Sequence, residues 1–547
     1  MKRICSLGIP LEDFTMGHIM RQKAEKNGDK TYMRFEDRKY SYREFHEISN
    51  RLGRALLDLG VEAGQHVAFM MENKPEQLLL YFALAKIGAV SVPVNSAAKG
   101  ELLAYYLTQS DSTVLISDSG LVERFQLVQD QCDAVRHVII LDERGVIDPA
   151  TTPQLNAEVI DYNSLLDASA DELPEDVVRN RDVAMLLYTS GTTGPSKGNM
   201  VPHGRMIGGA IDHVEYFGYG PDDVLYTCLP MFHGNALNPS AMPALMADAT
   251  LVISRRFSAS KFWNEIRSYG VTAFSLLGAM VNILWAQPPS PLDRENKARL
   301  CMMVPVPDFA REFEKRFGLK VTSVYALSDY GFITFLSPEH PKEKWKSAGK
   351  PRSGMTISIM DDDDNALPAG TPGEICVRCD VPWITARGYY KMPQATVDAN
   401  RNQWFHTGDR GYLDEDGYIY FVDRKKDAIR RRGENISSYE VEQIVLGHPA
   451  VEDVAAYAVN SEMSEDEVMV SVTCKEGKTL DPADLVRYCA DNMAYFMVPR
   501  FVEIVTELPR TMTEKIEKYK LKQSAQGRLN EIWDREAEGI VVNRHTN

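Results

Sequence analysis

Apolar residues in the first hundred positions recur in two rhythms. Ser41-x-x-Glu44 has the form of a capping box, and Phe45, Ile48, Leu52, Leu56 and Leu59 then repeat on one helical face until Gly60 ends it. The run His66–Met71 predicts a strand, Pro75 opens a helix reaching Lys86, and Ala89–Val94 predicts a second strand. That β-α-β order is the pattern of layered α/β structure. Val183–Leu187 is a further apolar run of buried-strand type. Asp361–Asp364, followed by Asn365 and Pro-Ala-Gly, predicts a hairpin turn between Thr356–Met360 and Glu374–Arg378 rather than a metal site. Downstream of residue 424 the pattern changes: Val451–Val459, Val468–Cys474 and Phe501–Val505 predict strands, and Asp481-Pro482 starts a helix through Asn492. We therefore expect a large layered α/β domain over 1–423 and a small α+β domain over 424–547, with no internal repeat.

Composition narrows the class. A chain of 547 residues exceeds what one hydrophobic core serves, so two domains are expected. Its hydrophobic and charged fractions, 44% and 25%, are those of an ordinary soluble protein. The longest apolar stretches, Tyr81–Val94 and Val271–Ala286, are interrupted by Lys86 or by Gly278 and Asn282, and they read as core elements rather than transmembrane segments. The apolar part of the N-terminal segment is too short for a secretory signal, and eight scattered cysteines imply no disulfide framework. A cytoplasmic location is expected. Cys376-x-x-Cys379 has no second pair at zinc spacing and lies in a strand-like run, so two strand cysteines are expected there rather than a metal or redox site. A net charge of −16 argues against nucleic acid as a partner. Locally the sign reverses over Arg424–Arg432, where Arg430, Arg431 and Arg432 read either as a solvated face or as contacts for a phosphorylated ligand.

The most informative stretch is Tyr188-Thr-Ser-Gly-Thr-Thr-Gly-Pro-Ser-Lys-Gly198. Thr189, Ser190, Thr192 and Thr193 offer hydroxyls, Gly191 and Gly194 give freedom to the backbone, and Lys197 brings a cation, together a set that can surround a polyphosphate. It is not a Walker loop, because position 196 is Ser where that spacing needs Gly. The stretch resembles the signature loop of the adenylate-forming superfamily, which contains acyl-CoA synthetases, luciferases and nonribosomal-peptide adenylation domains. Further motifs follow in that family's order. Pro230-Met-Phe-His-Gly-Asn235 is similar to the loop at the acyl pocket, Tyr325-Ala-Leu-Ser-Asp329 to Tyr-Gly-Met-Thr-Glu, and Phe405-His-Thr-Gly-Asp409 to the ribose-binding motif. Asp423-Arg-Lys-Lys-Asp427 is similar to the interdomain hinge, and Pro509-Arg-Thr-Met-Thr-Glu-Lys-Ile516 to the C-terminal lysine motif.

The resemblance implies ATP, Mg²⁺ and CoA as cofactors, a small carboxylic acid as substrate, and a small C-terminal domain that rotates about Lys426. It implies that Lys515 bridges the acid and the α-phosphate and that His233 sits at the acyl pocket. The loop, with Thr192 at its centre, would hold the β- and γ-phosphates together with Mg²⁺. Asp409 would bind the ribose hydroxyls with help from Arg424, Tyr325 would stack on adenine, Ser328 would face the nucleotide, and Asp329 would serve the metal. Gly433 would give the thiol of CoA room to approach. Two departures are visible: Ser328-Asp329 replaces Thr-Glu, shortening the acid by one methylene, and Met302-Met-Val-Pro-Val-Pro307 replaces a Gly-Gly-Ala-Pro-like run. No carrier domain follows Lys515, so an acid–CoA ligase is expected, of medium or bulky apolar specificity. A carnitine/crotonobetaine-type ligase, a non-catalytic acyl-adenylate sensor and a homodimeric state stand beside it.

Overall fold

The computed structural model describes residues 8–145, 147, 152–174, 177–189, 196–424, 429–431, 434–436, 438–460, 466–493, 495, 497–510 and 516–542. The chain divides into two compact units: 1–189 with 196–356 and 377–405, and 190–195 with 357–376 and 406–547.

The first unit carries the strands β1 (Thr31–Phe35), β2 (Arg38–Ser41), β3 (His66–Met70), β4 (Val90–Val94), β5 (Val114–Asp118), β6 (His137–Leu141), β7 (Glu158–Asp161), β8 (Val183–Thr189) and β9 (Lys197–Pro202). Then come β10 (Val224–Thr227), β11 (Thr250–Ile253), β12 (Ala273–Leu277), β13 (Leu300–Val304), β14 (Lys320–Leu327), β15 (Gly331–Leu336) and β16 (Lys350–Pro351). Among the described residues they form a seven-stranded sheet ordered β7-β6-β5-β3-β4-β8-β9 and a nine-stranded sheet ordered β16-β15-β14-β13-β12-β10-β11-β1-β2. Both are parallel in their interiors, with antiparallel pairs only toward the edges.

Local sequence explains these elements. The expected capping box closes the helix Tyr42–Asp58 from both sides: Glu44 N donates to Ser41 Oγ at 3.1 Å, and Ser41 N donates to Glu44 Oε2 at 2.8 Å. Phe45, Leu52 and Leu56 on that helix are fully buried, each worth about 1.5–3 kcal/mol relative to exposure. The helix Pro75–Ile87 is buried on all sides, which accounts for the near-continuous apolar run there, and Lys86 is held by Asn50, Ser49 and the carbonyl of His46. No described helix is long and apolar enough to cross a membrane.

The helix His203–Phe217 links the two sheets and buries Arg205 together with three groups that titrate in or near the physiological range. Burial lowers His203 and His213 to about 4 and raises Asp212, against the pull of Arg352, to about 7. Each histidine stays neutral in the folded chain, so its contribution is present above its unfolded pKa and is lost as pH falls toward about 4. Asp212 acts in the opposite sense, its contribution being lost as pH rises through about 7. Among these three groups, two histidines against one aspartate leave a net of one proton between about pH 4 and about pH 6.5, so this helix should add a rise of about 1.4 kcal/mol per pH unit to the stability profile. Urea midpoints across that range check this, and Asp212→Asn should steepen the rise; a flat profile in both proteins would contradict it.

The second unit holds or shares β17 (Met355–Met360), β18 (Gly373–Cys379), β20 (Trp404–Leu413), β21 (Ile419–Arg424), β22 (Ile429–Arg431) and β23 (Glu434–Ile436), while β19 (Asn400–Arg401) belongs to the first. The acidic run is the expected turn: the Asp361 carboxylate accepts from Asp363 N at 3.0 Å and Asn365 N at 2.9 Å. Beyond it β24 (Val451–Asn460), β25 (Asp466–Cys474), β26 (Phe501–Ile504) and β27 (Trp533–Asp534) form a four-stranded sheet in that order. Val441 and Val445 from the helix Ser438–Leu446, and Leu485 and Val486 from Pro482–Asn492, pack on Val454, Val470 and Val472 of this sheet, an α+β core.

Candidate active site

In an open parallel sheet, ligands bind in the crevice beyond the carboxyl ends of the strands. The first unit follows that rule. His233 follows β10, Leu277–Met280 bridge β12 and the helix Gly278–Ala286, Met302–Val306 run off the end of β13, and Ser328 and Asp329 form the turn after β14. β14, β13, β12 and β10 are consecutive neighbours in the sheet, so four predicted segments leave it side by side.

His233 is half-buried and caps a short helical turn, its Nδ1 accepting from Asn235 N at 3.3 Å. A π-helical turn, Leu237–Ala241, follows, a rare conformation that is frequent at functional sites. Tyr325 is buried in β14, and the pairing of β14 with β15 slips between Tyr325 and Ala326. Such an irregularity re-aims side chains at a strand end.

Around Ser328-Asp329 the first unit assembles a group whose members share no motif in the sequence. Tyr389 Oη donates to Asp329 Oδ2 at 2.6 Å. Arg205, fully buried, donates through Nη1 to the Ser328 carbonyl at 2.8 Å and through Nη2 to that of Leu327 at 3.3 Å, and Asn199 also donates to the Ser328 carbonyl. Burial lowers Arg205 to about 10 while Asp329 pulls it upward. Burial, followed by the Asp329 charge, raises the Tyr389 hydroxyl well above the ordinary phenol range, so it remains a donor. Lys197 is half-buried, with Nζ 4.6 Å from the centroid of the Tyr389 ring. Asp329 and Tyr389 border a small open cleft whose other walls include Arg378, Cys379, Asn400 and Gln403. Arg205 and Tyr389 carry no local motif, because their contacts arise only when the 387–390 segment pairs with β9 and the helix His203–Phe217 meets the turn after β14.

The second unit positions Asp409. It is buried in β20 and paired in register with Arg424 at the end of β21. Its strand is clamped to β18: Glu374 accepts from Gly408 N at 3.2 Å through Oε1 and meets His406 Nδ1 at 3.2 Å through Oε2. Thr407 Oγ1 donates to the Ile375 carbonyl at 2.7 Å and accepts from Asp409 N at 3.1 Å. Cys376 Sγ lies 3.4 Å from His406 Nδ1, and among the described residues Glu374, Cys376 and His406 have ligand-type atoms within 4.8 Å of one another. Hydrogen bonding accounts for that proximity. Cys379, three positions along the strand, points to the other face and meets Arg352, so the Cys-x-x-Cys pair shares no ligand site.

One expectation is corrected. Arg431, taken with Arg430 and Arg432 as a solvated face or a contact for CoA phosphates, is 2% exposed and ion-paired with Glu467 at 2.6 Å, because β22 packs its face on β25. Its charge is therefore spent inside the unit. Ser190, Gly191, Thr192, Thr193, Gly194, Lys426, Gly433 and Lys515 lie outside the described residues, as do the side chains of Thr189 and Arg424.

Comparison with known proteins matches residues 20–390 to the model of an AMP-binding enzyme and residues 440–515 to that of the AMP-binding enzyme C-terminal domain. The chain belongs to the AMP-binding enzyme family. It is 34% identical to crotonobetaine/carnitine–CoA ligases of Salmonella heidelberg and Salmonella typhimurium, over 93% of this chain and 100% of each relative. Among solved structures, ATP-bound MatB from Rhodopseudomonas palustris superposes with a TM-score of 0.82 over 94% of this chain and 99% of that one, at 24% identity. The AMP complex of O-succinylbenzoate CoA synthetase (MenE) from Bacillus subtilis gives 0.79 over 93% and 98%, at 25% identity. The protein is thus an AMP-forming acid–CoA ligase that uses ATP, Mg²⁺ and CoA, with the two-part acyl-CoA synthetase fold expected from its motifs, and the enzyme reading prevails over the sensor.

Proposed function

We propose that this ligase activates a medium-sized or bulky apolar acid. The observation that carries the reading is the make-up of the segments leaving β10, β12 and β13. His233–Asn235, Leu276–Met280 and Met302–Val306 offer Met, Leu, Val and Gly, with no Lys or Arg for a second carboxylate. Nor do they offer an Asp, a Glu or the ring of a Trp, Tyr or Phe for a quaternary ammonium. An uncompensated charge buried there is costly, and flexible methionines fit irregular apolar bodies. The Salmonella relatives, named for crotonobetaine and carnitine, support the second reading, a betaine substrate.

A carboxylate is a poor electrophile, and its attack on the α-phosphorus of ATP with departure of pyrophosphate replaces a hopeless leaving group with AMP. The step needs alignment and charge neutralisation more than acid–base work. Mg²⁺, when bound, supplies part of that neutralisation at the phosphate oxygens. In our reading Lys515 aligns acid and α-phosphate, the loop 189–198 with Thr192 holds the β- and γ-phosphates, and Asp329 with Ser328 faces the metal side. Tyr325 stacks on adenine, Asp409 with Arg424 holds the ribose, His233 borders the acid, and Gly433 admits the thiol. Domains 1–423 and 424–547 then rotate relative to each other between the two half-reactions, a division supported by family models that end at 390 and resume at 440. A cytoplasmic homodimer is part of the same reading, and light scattering tests its second half.

The deciding experiment is an acid panel scored by pyrophosphate release with and without CoA. Medium-chain and cyclic acids should exceed dicarboxylic acids, carnitine and crotonobetaine in kcat/KM by about 10-fold or more, the discrimination expected when a charge must be buried unpaired. A clear preference for the betaines overturns the apolar pocket.

A further inference from the structure

We propose that Tyr389 is a positioning residue that fixes the phosphate-loop cation, Lys197, and the metal-side carboxylate, Asp329, relative to each other. The inference rests on the reading that Lys197 faces phosphate and Asp329 faces Mg²⁺. Tyr389 is 5% exposed, and its two chemical faces are both occupied. The flat of the ring lies 4.6 Å from the Lys197 ammonium, and the hydroxyl donates to Asp329 Oδ2 at 2.6 Å. A ring quadrupole attracts a cation, and a phenol donor to a carboxylate is a strong, charge-assisted hydrogen bond. One side chain therefore sets the location of a positive and a negative group together.

The ring itself has little freedom. Tyr389 bridges Asn199 of β9 in antiparallel register, Met200 N donates to the Gly388 carbonyl at 2.9 Å, and Tyr390 N donates to the Gly198 carbonyl at 2.8 Å. Gly388 has φ +104°, and a Cβ there would come within 2.4 Å of Thr396, so the approach of this segment to its neighbours requires glycine. Tyr389 N donates to Thr396 Oγ1 at 2.9 Å. Below the carboxylate, Arg205 and Asn199 hold the Ser328 carbonyl, so the turn carrying Asp329 is fixed from the backbone side as well. An aspartate in place of a glutamate has one torsion fewer and a shorter reach. Tyr389 and Arg205 supply the constraints that decide where its oxygens stand.

The test compares Tyr389→Phe, which keeps the ring beneath Lys197 but removes the donor to Asp329, with Tyr389→Leu, which removes both, and with Asp329→Asn. Calorimetry on the full chain measures affinity for a non-hydrolysable ATP analogue with saturating Mg²⁺ and with EDTA. In Tyr389→Phe the Mg²⁺-dependent gain in affinity should fall by about 10-fold, as for other partners of metal ligands, with affinity in EDTA unchanged. In Tyr389→Leu affinity in EDTA should fall too. Both variants should still thioesterify supplied acyl-AMP. A Tyr389→Phe protein with the wild-type gain, while Asp329→Asn loses it, overturns the inference and leaves the Asp329 assignment standing. A wild-type gain in Asp329→Asn instead overturns that assignment and the inference with it. Equal loss in both half-reactions of Tyr389→Phe marks a merely structural tyrosine and also overturns the inference.

Discussion

Lys515→Ala should abolish acyl-adenylate formation, with a fall on the order of 10² or more in pyrophosphate release, while sparing the conversion of supplied acyl-AMP to thioester. The charge is needed only while a carboxylate approaches an α-phosphate, two anions that repel until a cation lies between them. A lysine serves as a compact point charge with three donors. Its neighbours cannot stand in for it. Lys518 is paired with Glu442 at 2.8 Å and donates to Ser438 Oγ at 2.7 Å, and Lys520 is held by Glu517. Lys520→Ala should therefore leave both steps near wild type. Separate assays of ATP-dependent pyrophosphate release and of thioester formation from acyl-AMP make the comparison, and equal losses in both would remove the assignment.

The second large effect is expected at the hinge. The antiparallel ladder between β20 and β21 runs to the pair Asp409–Arg424, so backbone pairing holds the chain up to two residues before Lys426. Lys426→Pro fixes φ near −65° at the residue proposed to swing. If a rotation of 424–547 separates the two half-reactions, the variant should keep adenylate formation and lose thioester formation by about 10² or more, since the second constellation is never completed. Stopped-flow measurement of each half-reaction tests this, and a variant that turns over both steps at wild-type rate would exclude Lys426 as the pivot.

Much of this molecule could be read from short stretches of chain. The capping box at Ser41, the buried helix after Pro75 and the acidic turn at 361–365 depend on neighbours within a few residues, and each formed as expected. The strands 451–460, 466–474 and 501–504 were legible for the same reason: alternation and β-branched content are local signals. What escaped is non-local. Tyr389 meets Asp329 across 60 positions, Arg205 reaches Ser328 across 123, and Glu374 grips Gly408 across 34. No periodicity encodes such pairs. Arg431 is a case of the same kind: a cluster of like charges suggests a wet face, whereas the strand turns Arg431 inward toward Glu467.

The side-by-side departure of four loops from β10, β12, β13 and β14 has a consequence for how this scaffold can diversify. Each loop is rooted in its own strand, and the strands are locked to one another by ladder hydrogen bonds below the crevice. A substitution in Met302–Val306 leaves the roots of His233 and Met280 untouched, so changes in different loops should combine almost independently unless the side chains meet. Asp409 hangs from β20, on no strand that carries those loops. Acid preference can then be recut loop by loop, by drift or by design, while the groups proposed for ribose and phosphate keep their places.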